Sequence, residues 1–180
     1  MNKIKKIYCR VFQEVFHIAL PLLPYRTPKK IDSISDIPAV LKKERKKSVL
    51  LITDKTIRGF GITANLEKLL VESGFKLTVY DDVVANPTDE NVEEARNLYK
   101  KNMCNALIGF GGGSSIDCAK AVGARIAKPH QSLDKMEGIL KIIVPIPLLI
   151  AIPTTAGTAA EVTINYVITN EEKQVKENLL

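Results

Sequence analysis

"GFGGGSSIDCAK", residues 109–120, places four glycines in five positions and follows them with two serines, an acid and the start of an apolar helical pattern. The run just before it, "NALIGF" (105–110), is short, apolar and rich in branched residues, as a buried strand is. The residues after it, 114–127, carry apolar positions at helical spacing. A glycine loop from a buried strand into a helix leaves helix amides unpaired and turns the positive end of the dipole outward. That arrangement suits a pyrophosphate, and missing Cβ atoms let such a ligand approach the main chain. A plain flexible turn is the alternative. Ser114-x-x-Asp117 also reads as a capping box, an account of both residues that needs no ligand. The loop is not the G-x-G-x-x-G fingerprint, because Ser114 stands where the third glycine belongs.

Working outward, the chain alternates. "KSVLLITD" (47–54) reads as a strand, and a helical stretch with Ile57, Ile62, Leu66 and Leu69 follows, ending near Ser73 and Gly74. "FKLTVYDDV" (75–83) is a second strand. Asn86-Pro87-Thr88 makes a turn in which Thr88 caps the helix of "DENVEEARNLYKKN", acidic in its first turn and basic in its last. The strand at 105–110, the helix at 114–127 and a fourth strand "LLIAIP" (148–153) complete the series. Strands alternating with helices specify an α/β protein with a doubly wound parallel sheet. There is no internal repeat and no low-complexity linker.

Composition narrows the function classes. With 180 residues, 46% of them hydrophobic and 26% charged, the chain has the balance of a globular protein with a real core. Three cysteines, Cys9, Cys104 and Cys118, lack metal-ligand spacing and do not pair off, which fits a reducing cytoplasm. Cys118 reads as a small core residue of its helix. The net charge of +6 is concentrated in "LKKERKK" (41–47) and in Lys3, Lys5 and Lys6. Such runs without interleaved aromatics describe solvated faces and not a nucleic-acid surface.

The first residues, "MNKIKKIYCRVFQEVFHIALPLLP", have a basic start and an apolar stretch. Gln13, Glu14 and His17 interrupt it, no small-x-small cleavage site follows, and it is too short to span a membrane. Ile4, Ile7, Val11, Val15 and Ile18 recur at helical steps, so residues 1–30 read as an amphipathic segment, docked on its own domain or a subunit, with a membrane-surface anchor as the alternative, and 31–180 as the α/β domain. His17 reads as a packed side chain of that helix.

Two further features lie at strand ends. Asp54 closes the first strand, where a carboxylate can accept from a ribose hydroxyl and repel a 2′-phosphate, favouring NAD over NADP; equally, it can simply cap the next helix. In "AIPTTAGTAAEVTINYVIT" (151–169) threonines crowd the positions after Pro153. Hydroxyls there can wrap the second half of a cofactor, although a threonine-rich turn is usually only a turn.

Together "LLITDKTI", "ANPTDENVEEAR", "GFGGGSSIDCAKAVGARIA" and "AIPTTAGTAAEVTINYVITNEEK", in this order and spacing, resemble the N-terminal half of the iron-containing (group III) alcohol dehydrogenases, from about Lys3 to Lys176. The resemblance implies the dinucleotide-binding domain of a dehydroquinate-synthase-like fold, NAD as cofactor, and alcohol/aldehyde interconversion by hydride transfer on a small substrate. The family's cofactor contacts fall on Asp54, Asn86, Gly112, Gly113, Ser114 and Asp117, on Thr154, Thr155 and Thr158, and on Thr163, Asn165, Val167 and Lys176. Many members carry TAGTGSE where this chain has Thr155-Ala-Gly-Thr-Ala-Ala-Glu161, which allows small changes in that loop.

The family's iron, or another divalent metal, is held by one aspartate and three histidines of a C-terminal helical domain, beginning in a D-A-x-x-H segment. No such segment occurs here, and the two histidines, His17 and His130, stand far apart. The resemblance therefore implies the cofactor half without the metal-binding domain, inactive alone, with no catalytic or metal residue of its own. A homo-oligomer or a separately encoded helical half is the partner this implies. A non-catalytic dinucleotide-binding module and half of a glycerol-dehydrogenase-like enzyme are the alternatives.

Overall fold

The computed structural model describes Arg10, Glu14 and residues 28–136, 144–163, 166–170 and 175–179. The backbone divides into two compact units, Met1–Lys30 and Ile31–Leu180. The amphipathic helix expected over 1–30 lies outside the described residues, apart from Arg10 and Glu14, which are helical and exposed.

In the second unit, the helix α1 (Ile37–Lys43) leads into strand β1 (Ser48–Ile52). Helices α2 (Lys55–Gly59) and α3 (Ala64–Glu72) connect β1 to β2 (Lys76–Tyr80). The helix α4 (Asp89–Lys101) precedes β3 (Ala106–Gly111), and α5 (Gly113–Ala127) follows it after a single residue. Then come β4 (Leu148–Pro153) and a hairpin of β5 (Tyr166–Asn170) and β6 (Val175–Leu179). The four strands β1 to β4 form one wholly parallel sheet in the order β2-β1-β3-β4.

Both faces of this sheet are covered, which is why β1 and β3 read as unbroken apolar runs. Alternate residues serve two cores. Val49, Leu51, Ala106 and Ile108 pack with Ile37 and Leu41 of α1 and Leu66 and Leu70 of α3. Leu50, Ile52 and Leu107 point the other way, into Val92, Ala95 and Tyr99 of α4 and Cys118, Ala119 and Val122 of α5. All the residues of β1 and β3 are buried, and each large apolar side chain so buried contributes about 1.5–3 kcal/mol.

The helical stretch expected after β1 is two helices. Gly61, at φ +72°, turns the chain between them, and Ile62 is 46% exposed while Leu66 and Leu70 are buried. The apolar spacing from Ile57 to Leu69 therefore runs through a break: Phe60 caps α2 and a new helix starts at Ala64. The hairpin β5–β6 was not anticipated. Its inward residues Tyr166 and Ile168 join the core beside α4 and α5, and β5 bridges to Thr88 through Thr169.

The strand order places a switch point at the centre of the sheet. From β1 the chain leaves towards α3 on one face; from the adjacent β3 it leaves towards α5 on the other. The loops diverge, and a crevice opens outside the carboxyl ends of the strands, where open α/β sheets bind ligands.

Candidate functional site

The crevice holds about 560 Å3 and is lined from four strand ends: Asp54, Lys55, Thr56 and Ile57 after β1, Asp81 to Ala85 after β2, Gly112, Ser114 and Ser115 after β3, and Thr154 and Thr155 after β4. Register explains the convergence. Ile52 pairs with Tyr80 and with Gly109, and Gly111 pairs with Pro153, so the residues just beyond reach one level. The amide of Thr154 donates to the carbonyl of Gly111 at 2.9 Å, extending the pairing into the loops.

The glycines have separate reasons. At Gly109 an added Cβ would stand 3.0 Å from that of Ala119 and 3.2 Å from the Cα of Ile116, so α5 packs directly on the strand. Gly111 has φ +151°, and a Cβ there would collide with the Ser115 side chain. Gly112 and Gly113 face the threonine loop: a Cβ on Gly112 would meet Thr155 Oγ1 at 3.4 Å, and one on Gly113 would meet Thr158 Cγ2 at 3.1 Å. Glycine ridge and threonine loop are two walls of one cradle, and any side chain on the ridge would fill the gap.

The capping box expected from Ser114 and Asp117 does not form. The helix α5 starts at Gly113 with Gly112 as its N-cap, and no side chain caps it. Ser114 thus lies within the first turn, and its Oγ accepts from the amide of Asn86 at 3.3 Å. Asp117 turns away from the crevice to accept from the amide of Val167 at 3.1 Å and to pair with Lys120 at 3.5 Å. The first amides of α5 and the positive end of a fifteen-residue helix are consequently presented to the crevice.

Asp54 caps the next helix and also faces the crevice. Its Oδ1 accepts from the amide of Ile57 at 2.9 Å as the cap of α2, while the residue also lines the crevice, with Oδ2 3.5 Å from where a Cβ on Gly111 would sit. Asn86 has φ +60° in the turn before Pro87. Thr88 and Asn91 form a reciprocal capping box at the start of α4, as expected of Thr88.

Of the expected contacts, Asp54, Asn86, Gly112, Gly113, Ser114, Thr154, Thr155 and Thr158 come together around the crevice and its cradle. Asp117, Thr163 and Val167 form a second group behind it, centred on Lys120, whose ammonium donates to Thr163 Oγ1 at 3.0 Å. Burial pushes the Lys120 ammonium below its ordinary range against the pull of Asp117 and Glu161, and burial raises the Asp117 carboxyl despite the Val167 amide and Lys120. Asn165 lies outside the described residues, and Lys176 pairs with Thr169 in the hairpin.

Sequence reasoning passed over Lys120, although a lysine three residues after an aspartate within an apolar helix is a signal for a buried pair. It also passed over Lys55, Asp81 and Asp82, which the parallel pairing of β1 and β2 brings to the crevice. Asp82 bridges to Asp54 through the backbone and pairs with Lys55 through its side chain. Among the described residues, no three His, Cys, Asp or Glu side chains converge to hold a metal ion, and no helix is long and apolar enough to cross a membrane.

Known proteins resemble the chain in sequence and fold. Residues 26–180 match the family described as iron-containing alcohol dehydrogenase. The lactaldehyde reductase of Escherichia coli K12 is 40% identical over 137 residues, which cover 76% of this chain and 36% of that protein. The choline dehydrogenase of Bacillus subtilis is 41% identical over 131 residues, 72% of this chain and 33% of that protein. Among solved structures, a 1,3-propanediol oxidoreductase superposes with a TM-score of 0.80 at 32% identity, over 88% of this chain and 42% of that one. The sulfoacetaldehyde reductase of Bifidobacterium kashiwanohense in complex with NAD+ gives a TM-score of 0.74 at 26% identity, over 88% and 43%. The chain spans about a third of the length of these curated relatives. A parallel sheet in this order, with a glycine-to-helix turn facing a threonine loop and a family match over most of its length, makes the chain a member of the iron-containing alcohol dehydrogenase family.

Proposed function

We propose that this chain supplies the NAD-binding part of an alcohol dehydrogenase that interconverts a small alcohol and its aldehyde. The observation that carries this reading is the uncapped start of α5, open to the crevice at the switch point between β1 and β3.

The residues fit a dinucleotide. The α5 amides and the glycine ridge would hold the pyrophosphate, since a side chain at Gly113 would press on Thr158 and close the cradle. Asp54 would accept from the ribose hydroxyls with the oxygen not engaged at Ile57, and Thr154, Thr155 and Thr158 would line the far wall. Ser114 would hold the Asn86 turn against the mouth of the crevice. Bound NAD supplies hydride transfer; the protein's part is to bind and orient it. Asp117, with Lys120 and Thr163, would act from behind by fixing β5 and the threonine loop to α5. For the family's metal, the described residues offer no matching set.

Titration of the purified protein with NADH, followed by nucleotide fluorescence, tests the reading. Saturable binding that Gly113→Val weakens supports it. No binding at millimolar NADH overturns it.

A further inference from the structure

Lys55 lines the crevice and Arg58 follows it in α2, and each of these two cations is tied to a carboxylate. The ammonium of Lys55 contacts Asp82 Oδ1, and that hydrogen bond is the chief cause of the raised Lys55 pKa. Arg58 donates to Asp81 Oδ2 at 2.7 Å and pairs with Glu67 at 3.3 Å. Lys55, Asp81 and Asp82 all line the crevice with Asp54, and the backbones of Asp54 and Asp82 bridge, so Asp82 sits across from the carboxylate already assigned to the ribose.

We infer that Asp82 is a second determinant of cofactor selectivity, acting by sequestering Lys55. The inference rests on the NAD-binding reading above and adds a residue to it. A carboxylate at position 54 opposes a 2′-phosphate directly, yet a free lysine at the next position would attract one at close range. Asp82 removes that attraction. Because the pair is exposed, with the two side chains 74% and 50% accessible, its worth to stability is small. Its effect falls on what the lysine is free to bind, and the neighbouring Arg58 is tied in the same way by Asp81.

The experiment compares NADH and NADPH affinities of the full chain by fluorescence titration, in wild type, Asp82→Asn, Lys55→Ala and the double variant. Asp82→Asn is expected to narrow the NADH-over-NADPH preference by about fivefold, the scale of an exposed ion pair. Lys55→Ala in that background is expected to restore the preference, and the gain is expected to shrink with added salt as the Debye length shortens. An unchanged preference in Asp82→Asn overturns the inference, and so does a gain that survives Lys55→Ala. Asp82→Ser, which also frees Lys55 but leaves a shorter side chain, must reproduce the gain in a protein with wild-type melting. Absence of NADH binding in wild type would overturn the NAD reading itself and is told apart by that first titration.

Discussion

The hydroxyl of Ser114 accepts the backbone amide of Asn86 at 3.3 Å, tying the first turn of α5 to the turn that follows β2. Ser114 lies inside the helix and not at its cap, so removing its hydroxyl costs the helix little and the mouth of the crevice more. Ser114→Ala is expected to weaken NADH binding by about 1 kcal/mol, roughly fivefold in Kd, with an unchanged melting temperature. Fluorescence titration and a thermal melt on the same preparation check it; equal affinities would show that the Asn86 turn needs no such tie.

Asp54 carries two tasks that substitution can separate. Asp54→Asn keeps a side chain that caps α2 while removing the charge, so stability is expected to hold and the NAD preference to fall. Asp54→Ala removes both and is expected to lose about 1 kcal/mol of stability as well. Urea unfolding beside NADH and NADPH titration distinguishes them. Identical behaviour of the two variants would mean that the cap alone matters.

Gly113 tests the cradle. A Cβ there already stands 3.1 Å from Thr158 Cγ2, so Gly113→Val must push the threonine loop outward. An NADH affinity loss of at least about tenfold is expected with the far-ultraviolet dichroism retained, and Gly113→Ala is expected to fall between. A valine variant that binds as wild type does would show that the loop yields freely.

Glu93 gives the fold an acid-sensitive joint. Burial opposes its ionisation, but hydrogen bonds from Arg125 and Arg96 outweigh this and hold its carboxyl below the ordinary 4.5. With the folded-state value depressed, the stabilisation is complete above pH 4.5 and is lost as pH falls through the folded value. Glu93→Gln leaves two arginines, each 8% exposed, without that charge. The expected cost near pH 7 is about 1–2 kcal/mol, less than for a fully buried pair because the Glu93 side chain is 38% exposed. Urea melts of both proteins near pH 7 and about pH 3.5 should show the gap closing on acidification; a pH-independent gap would refute the assignment.

The centre of the sheet was legible because β1 and β3 are buried on both faces, and "NALIGF" carries that environment in its composition. The apolar run "LLIAIP" marked β4, which spans the residues expected of it although it is only partly buried. The glycine loop was legible as a strand-to-helix turn, yet the reason for each glycine was not. Thr155 and Thr158, which press on the ridge, are separated from it by more than forty residues of sequence. The Ser114–Asp117 spacing misled because a capping box requires the helix to start at one residue, and Gly112, needing no side chain to begin it, shifted the start. The partnership of Asp117 with Val167 could not be read either, since it depends on a hairpin packed beside α5. Asp82 and Lys55 meet only because β1 and β2 are neighbours.

The helix α5 is gripped at both ends. Asp117 holds β5 near its start, and Arg125, through Glu93, holds α4 near its finish. A rod fixed at two points neither slides nor rolls, so its leading amides stand in place before any ligand arrives. Calorimetry should therefore record little ordering entropy lost at this helix on nucleotide binding, and the amide protons beyond its first turn should resist hydrogen exchange equally in the free and bound protein, while those of the first turn gain protection on binding.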